Sequence, residues 1–247
     1  ASENRIVYKD DPRNADEHLK AAGKPIDYQN RFIAIGNYGS IDDVFNYAQT
    51  AINGTTASQV IPGDLIYIDF NGDGIINSND KVVVDELNYP LTTIGFSFGF
   101  NWKGLNFSAM LYSPRNIYKL QFDQYLWDFP ASNIRVQPKS MERWTPETAN
   151  SSGVMRPATH LNNTYNKVES TYRYSDYSYI RLKNMEIGYT FPKKWLSEAH
   201  ISNLQVYMNG NNLLTFWKGD KRVDPETGGV GSYPIVRTYT LGLRVSF

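Results

Sequence analysis

The sequence contains no cysteine, which excludes disulfide bonds, thiolate catalysis and cysteine-ligated zinc sites. It also lacks any run of about 18 apolar residues, which excludes a membrane-spanning helix. The 25 basic and 25 acidic residues balance, so we expect no electrostatic attraction to nucleic acid. The segment from Ala1 to Lys9 has no apolar stretch of the kind found in signal peptides. If the protein is exported, we therefore expect that residue 1 is not its natural start.

Aromatic residues, by contrast, are abundant: 18 Tyr, 12 Phe and 5 Trp make up 14% of the chain. Aromatic girdles at the two interfaces of a membrane are one physical reason for such an excess. The mean hydropathy of −0.48 is compatible with a membrane β-barrel, because lumen-facing residues cancel lipid-facing residues in the average.

Strict alternation of apolar and polar residues marks the end of the chain, residues 237–247. Successive side chains of a strand point to opposite faces, so this segment predicts a strand with one apolar and one polar face. The apolar face carries Tyr239, Leu241, Leu243, Val245 and Phe247. An aromatic last residue on such a strand is typical of bacterial outer-membrane barrels.

The same alternation predicts further strands. Residues 93–102 and 105–112 flank a Lys103-Gly104 turn, which indicates a β-hairpin with strands long enough to cross a membrane. Residues 177–191 form another candidate, whose pattern slips near Lys183-Asn184. Either a β-bulge accounts for the slip, or the first half of this strand stands above the membrane. The remaining predicted strands are residues 204–216, residues 235–247 and a first strand at residues 3–9.

Short and long connections alternate between these six predicted strands. The short connections are residues 103–104 and 192–202, and the long ones are residues 10–91, 113–176 and 217–234. Outer-membrane barrels have short periplasmic turns and long extracellular loops, so the C-terminus is expected in the periplasm. Six strands cannot close a barrel, since the smallest closed forms use about eight. We therefore predict an all-β chain that forms part of a large antiparallel transmembrane β-barrel.

Five sequence blocks resemble those of SusC/RagA-type TonB-dependent transporters, and they occur in the family's order. The blocks are residues 62–80, beginning Pro62-Gly-Asp-Leu-Ile-Tyr-Ile-Asp-Phe-Asn-Gly-Asp-Gly, residues 94–109, beginning Ile94-Gly-Phe-Ser-Phe-Gly-Phe-Asn-Trp, residues 179–192, 206–216 and 237–247. The resemblance covers roughly residues 23–247. It implies the C-terminal part of such a transporter, with the plug domain and the earlier strands outside this chain.

The resemblance also implies a function and a location. Transporters of this family lie in the bacterial outer membrane and import glycans or peptides. A SusD-like surface lipoprotein closes over the barrel, and the TonB system supplies energy through the plug. The expected partners are therefore this lipoprotein, the remaining N-terminal part of the transporter, the TonB system, an oligosaccharide or peptide substrate and membrane lipid.

One motif predicts a metal ion. The segment Asp69-Phe-Asn-Gly-Asp-Gly-Ile-Ile-Asn-Ser-Asn-Asp80 has the ligand spacing of an EF-hand loop, with a glycine at the sixth position. Oxygen ligands around a flexible turn suit Ca²⁺ better than Mg²⁺. The predicted ligands are Asp69, Asn71, Asp73, the Ile75 carbonyl, Asn77 and Asp80. Asp80 stands where EF-hands carry glutamate, and the alternative is an Asx-rich turn without metal. A bound Ca²⁺ would make the loop rigid.

No pattern in the sequence predicts an enzyme. Residues 95–99 match the G-x-S-x-G motif, but they lie in an alternating strand and not at a strand-to-helix turn. His18, His160 and His200 are isolated, which argues against a zinc site. Six aromatic residues of the long connections could contact substrate, although packing within the loops is the preferred interpretation for most: Tyr118, Tyr125, Trp127, Phe129, Trp144 and Trp217.

A second hypothesis comes from another class of protein: a secreted, soluble β-sandwich that binds glycans and is stabilised by the calcium loop. It also accounts for the alternation and for the aromatic content. It predicts that Phe96, Phe98, Phe100 and Trp102 form a buried core, whereas the barrel hypothesis leaves them facing lipid.

Overall fold

The computed structural model of the chain describes residues 4–13, 15–55, 59–84, 86–121, 126–127, 138–149, 153–158, 164–221, 223–227 and 232–247. The chain divides into two compact units. Unit 1 comprises residues 1–87 and 120–175, and unit 2 comprises residues 88–119 and 176–247. Nowhere in the described ranges is there a helix that is both long and apolar enough to span a membrane.

Unit 1 is built from short strands in three pairs. β1 (Gln29–Arg31) pairs antiparallel with β6 (Val82–Val84), and β2 (Ala34–Asn37) pairs antiparallel with β4 (Leu65–Tyr67). β3 (Gln49–Thr50) and β5 (Ile75–Ile76) form a parallel pair. The helix α1 (Ile41–Asn46) begins at a Ser40 capping box. Short 3-10 turns occupy Glu17–Leu19, Ile52–Gly54, Ser78–Asp80, Pro138–Glu142, Pro146–Thr148 and Thr171–Arg173.

Residues distant in the chain form the core of unit 1. Its buried side chains are Phe32, Tyr38, Val44, Ile52, Val60, Leu65, Tyr67, Ile76, Tyr165 and Val168. The Tyr67 and Tyr165 rings meet edge to face at 5.2 Å between centroids. Beside them, buried Asn166 donates to the Asp64 carboxylate at 2.7 Å and accepts from the Leu65 N–H at 2.9 Å. The long connections predicted as loops at residues 10–91 and 113–176 thus contribute to a folded unit.

Arg31, the charged residue of β1, is buried. Its guanidinium pairs with the Glu86 carboxylate at 2.6 Å and lies 3.2 Å from the centroid of the Tyr174 ring. Burial raises the pKa of Glu86, an effect that Arg31 partly opposes. The Glu86 carboxylate thus compensates the charge of Arg31, which would be costly to bury without a partner.

The predicted first strand at residues 3–9 is wrong for the residues that the structure describes. Residues 4–9 contain a single bridge, between Arg5 and Pro25. The physical reason is that the backbone of Ile6 bonds to the segment at Gly23 and Lys24: Ile6 donates to the Lys24 carbonyl and accepts from the Gly23 N–H, at 2.9 and 2.8 Å. The Arg5 side chain also donates to the Gly23 carbonyl.

Unit 2 contains one five-stranded antiparallel sheet of long strands. They are β7 (Thr92–Trp102), β8 (Leu105–Arg115), β11 (Tyr179–Thr190), β12 (Asn203–Lys218) and β13 (Thr238–Ser246). Their order in the sheet is β13-β12-β11-β8-β7. The chain passes between the units at three places, and two of them lie in the short strands β9 (Tyr118–Leu120) and β10 (Tyr174–Asp176). The helix α2 (Lys193–Leu196) and a 3-10 turn, Ser197–Ala199, connect β11 to β12.

The predicted β-bulge in β11 is confirmed. The register of β11 shifts between Leu182 and Asn184 against both of its neighbours, β8 and β12. Lys183 is the extra residue on β11 relative to β8. The shift brings Leu182 and Met185 onto the same face, although they are an odd number of residues apart.

Candidate functional sites: an amphipathic sheet and an acidic loop

The sheet of unit 2 presents one continuous apolar face. Directly paired residues of adjacent strands share a face, so the register defines rows across the sheet. One row consists of Phe100, Phe107, Ile187, Met208 and Leu241, and the next consists of Trp102, Leu105, Tyr189, Val206 and Leu243. The rings of Phe100 and Phe107 stack at 5.4 Å. Large apolar side chains thus continue from strand to strand across all five strands.

Six of these ten apolar side chains are exposed within the chain, and the other four, Leu105, Phe107, Tyr189 and Val206, are half-buried. Phe96, Phe98, Phe100 and Trp102 are 45–63% exposed, and Leu241 is 76% exposed. A continuous apolar surface of this extent marks an interaction site with lipid or protein. The β-sandwich hypothesis predicts that Phe96, Phe98, Phe100 and Trp102 are buried in a core, and their exposure contradicts it.

The opposite face of the same sheet is polar. Its corresponding row consists of Gly99, Ser108, Glu186, Asn209 and Thr240. Side-chain hydrogen bonds cross the strands on this face, from Asn184 to Asn211 at 2.8 Å and from Asn211 to Thr238 at 3.2 Å. The ring of Tyr207 covers Gly242, where an added Cβ would lie 2.4 Å from it. Apolar and polar faces on one set of strands are the pattern of a barrel wall.

An ion cluster holds part of the long connection between β12 and β13 against β11. Arg181 is buried and donates to both carboxylate oxygens of Asp224, at 3.1 and 3.0 Å, and to the Thr215 hydroxyl at 3.0 Å. Its Nη1 also lies 3.0 Å from Glu226, as an ion pair without hydrogen-bond geometry. Lys183 donates to the same Glu226 at 2.5 Å. We call these four charged residues the Arg181 clasp.

Sequence reasoning did not find the clasp. The sequence indicated the clasp only through Arg181 and Lys183, two charged residues inside a predicted strand. Their partners lie more than 40 positions away, at a separation of 43 residues for Arg181 and Asp224. No local spacing predicts a pair at that distance.

The acidic loop closes on itself through backbone N–H groups. Asp69 accepts hydrogen bonds from Gly72 and Gly74 at 2.8 and 2.9 Å, and Asp73 accepts one from Ile75 at 2.7 Å. Gly74 has a φ of 81°, so the sharp turn expected at the sixth position is present. These bonds orient the carboxylates but leave lone pairs on the same oxygens.

Asp80 ties the end of this loop to its beginning. It is fully buried and accepts hydrogen bonds from the N–H groups of Phe70 at 2.9 Å and Asn77 at 2.7 Å. The amide of Asn77 is also engaged, since it accepts from Asn79 and donates to the Ile75 carbonyl. Within the described part of the chain, no three histidine or acidic side chains are already grouped as metal ligands. The calcium site therefore stays a prediction.

Most of the aromatic residues singled out in the long connections serve packing where the structure describes them. Trp127 and Trp144 are each 8% exposed, and Trp127 contacts the Tyr172 ring at 6.0 Å. Trp217 is 42% exposed, with the Arg115 guanidinium 4.8 Å from its ring. Tyr118 lies in β9 and is half-buried. Tyr125, Phe129 and His160 lie outside the described residues.

Comparison with solved structures identifies the fold. The RagAB peptide importer in its closed-closed state matches 93% of this chain with a TM-score of 0.62 and 22% identity, over 24% of that chain. Its open-open state matches 89% of this chain with a TM-score of 0.60 and 21% identity, over 22% of that chain. The chain has the fold of part of a TonB-dependent transporter β-barrel, and within this chain the barrel is not closed.

The sequence relatives agree with this class. TonB-dependent receptor P26 of Formosa agariphila is 33% identical over 218 residues, which cover 79% of this chain and 20% of the receptor. TonB-dependent receptor P3 of the same organism is 28% identical, and TonB-dependent receptor SusC of Bacteroides thetaiotaomicron is 24% identical, each over 75% of this chain. No protein-family model matches the chain. The predicted resemblance to SusC/RagA-type transporters is confirmed.

The chain spans about a fifth of the length of these curated relatives: 20% of P26, 19% of P3 and 18% of SusC. The three relatives are named as receptors, and the structural neighbours as a peptide importer or transporter. Proteins of this type reside in the bacterial outer membrane.

Proposed function

We propose that this chain forms part of the wall of an outer-membrane importer, with its apolar face toward lipid and its polar face toward the lumen. The observation that carries the proposal is the continuity of the apolar rows across all five strands. Burial of such a face in hydrocarbon stabilises by about 25 cal/mol per Å² of apolar surface. The wall has no catalytic role, because transport depends on binding and conformational change.

The topology supports an orientation in the membrane. In an antiparallel sheet, successive connections lie at alternate ends, so residues 103–104 and 191–202 lie at one end. The connections 116–178 and 219–237 lie at the other. We assign the short connections and Phe247 to the periplasm and the long ones to the cell exterior.

An epitope inserted in the full-length transporter tests this orientation. An insertion after Tyr233 should bind antibody on intact cells, and an insertion after Glu198 should bind only after the outer membrane is permeabilised. Both side chains are exposed, so neither insertion disrupts packing. Surface labelling at Glu198 alone would reverse the assignment.

The proposed cargo is a glycan or a peptide, captured with a SusD-like lipoprotein and moved by TonB energy through the plug. The support is the likeness to SusC and to the RagAB peptide importer. Affinity purification of the tagged full-length protein from outer membranes should recover a lipoprotein in comparable amount. Deletion of the gene should abolish growth on one polysaccharide or on a peptide mixture. Unimpaired growth on every substrate of both kinds would contradict the importer function.

We also propose that the acidic loop binds Ca²⁺. The donors are the hard oxygens that calcium prefers, and the Asp80 hydrogen bonds hold the twelfth position of the loop against its second and ninth positions. Asp69 and Asp73 would supply carboxylates, with the Ile75 carbonyl and the oxygens of Asn71, Asn77 and Asp80 completing the set.

Thermal unfolding of unit 1 with and without calcium tests this site. We expect CaCl₂ to raise the unfolding temperature more than MgCl₂ does, because ligand binding to the folded state stabilises it. The combined change Asp69→Asn and Asp73→Asn should abolish the difference, whereas Asp10→Asn, at an exposed position, should not. Asp80 is unsuitable for this test because its loss orphans buried N–H groups. Equal responses to the two cations would contradict a calcium site.

A further inference from the structure

Unit 1 contains a cleft that the proposed transport function does not use. Its volume is about 530 Å³, a size that accommodates a small organic ligand. Three buried apolar side chains line it, Phe32, Ile52 and Val168. Basic side chains of Lys81, Lys167 and Arg173 line it, with Glu169 as the acidic side chain among its lining residues.

The charges of this cleft are unbalanced. Arg173 pairs with Glu169 at 3.0 Å, and Glu169 also accepts from the Tyr174 hydroxyl at 2.9 Å. Arg173 thereby neutralises the charge of the Glu169 carboxylate. Across the described ranges, neither Lys81 nor Lys167 forms an ion pair, although the Lys81 ammonium lies 5.3 Å from the centroid of the Phe32 ring. Among the described residues, therefore, these two lysines line the cleft without a carboxylate partner.

Hydrogen bonds hold the walls of the cleft in place. Phe32 donates to the Glu169 carbonyl at 3.0 Å and accepts from the Thr171 N–H at 2.9 Å. The Arg173 guanidinium donates to the Lys167 carbonyl at 3.0 Å, which fixes the backbone that carries Lys167. A ligand would thus enter a largely formed site and lose less free energy to ordering.

We propose that this cleft binds a small organic anion, a molecule with a carboxylate, sulfate or phosphate group on a body that has an apolar face. The anionic group would replace the missing partner of Lys81 and Lys167, and the apolar face would lie on Phe32. Both sugar acids and acidic amino-acid derivatives have this chemistry. The site lies within unit 1 and goes beyond the importer function, so it holds whether or not transport is observed.

Calorimetric titration of the purified full-length protein tests the proposal with two matched pairs of probes. Glucuronate is compared with glucose, and N-acetylglutamate with N-acetylglutamine, so that charge is the main difference within each pair. We expect at least one anion to bind roughly tenfold more tightly than its neutral partner, and its affinity to fall as salt is added. The pair that shows the difference identifies the source of the ligand as saccharide or peptide.

The combined change Lys81→Gln and Lys167→Gln should weaken the binding of that anion roughly tenfold. Neither lysine pairs with a carboxylate in the part of the chain that the structure describes, so the fold should persist, and an unchanged thermal transition verifies this. Lys9→Gln, at an exposed position of the same unit, is the matched control and should bind like the unchanged protein. Equal affinity for acid and neutral probes, no binding of either anion, or undiminished binding by the double variant would each overturn the proposal.

Discussion

At Gly63 the backbone has a φ of 93°, and an added Cβ would lie 2.5 Å from the Ala158 Cβ and 2.6 Å from Cε3 of Trp144. Gly63→Ala therefore combines backbone strain with a clash in packed surroundings. We expect a loss of about 2–4 kcal/mol in the unfolding free energy of unit 1, measured by tryptophan fluorescence during urea unfolding.

Two other glycines provide controls for that substitution. Gly23 has a φ of 81° but open space around it, so Gly23→Ala reports backbone strain alone. Gly36 has neither constraint, and Gly36→Ala should be nearly neutral. Equal effects at all three positions would contradict the packing of Trp144 over Gly63.

The buried tyrosines of unit 1 make its stability sensitive to alkali. Burial raises the pKa of both Tyr67 and Tyr165 far above the usual value of about 10. The folded unit thus keeps protons that the unfolded chain releases, so stability is present below about pH 10 and is lost as pH rises further. Tyr67→Phe should reduce this loss in urea unfolding at increasing pH, and Tyr233→Phe, at an exposed position, should not. If the unfolding free energy of Tyr67→Phe depended on pH as that of the unchanged protein does, the account would be contradicted.

At the scale of elements, the Arg181 clasp should control the mobility of residues 223–227. Asp224→Asn combined with Glu226→Gln leaves the buried Arg181 without a carboxylate, a change that costs about 3–5 kcal/mol for a buried pair. We expect hydrogen exchange of these backbone amides to accelerate at least about tenfold. Glu198→Gln is the exposed control, and unchanged exchange in the double variant would show that the clasp does not hold the segment.

The two faces of the sheet should differ in their tolerance of charge. Met208 lies in the apolar row, and Asn209 lies in the polar row beside it. Met208→Arg should cost about 2–4 kcal/mol near the middle of the hydrocarbon layer, whereas Asn209→Arg should cost little. The measurement is the amount of folded, heat-modifiable protein in the outer membrane. Equal amounts of the two variants would contradict the assignment of faces.

The long strands were predictable because a period of two is a local pattern. Residues 93–102 alternate without interruption, and Leu204, Val206 and Met208 begin a second alternating strand. The structure extends the two predicted strands only slightly, to Thr92–Trp102 and Asn203–Lys218. The bulge was predictable for the same reason, since one inserted residue shifts the phase. The predicted strand at residues 3–9 was wrong because the backbone of a short apolar segment can bond to a turn elsewhere in the chain instead of to another strand.

Unit 1 could not be predicted in this way. Its strands are two to four residues long, which is too short to show a period. Its core joins residues far apart in the chain, as where Ala34 donates to the Thr171 hydroxyl. The ligand spacing of the acidic loop was readable in the sequence, but the cleft residues Lys81 and Lys167 share no local pattern.

At the scale of the whole molecule, the central claim is that one face of the sheet contacts lipid and the other faces the lumen. The absence of cysteine from this chain allows single cysteines to report on each face. Phe100→Cys, Met208→Cys and Leu241→Cys place a thiol on the apolar face, and Ser108→Cys, Asn209→Cys and Thr240→Cys place one on the polar face.

The most direct measurement labels these six variants of the full-length transporter, otherwise free of cysteine, with a small fluorophore and adds brominated lipid in reconstituted membranes. We predict quenching by the lipid at Phe100, Met208 and Leu241, and none at Ser108, Asn209 and Thr240. Quenching that is equal on both faces, or confined to the polar face, would contradict the account.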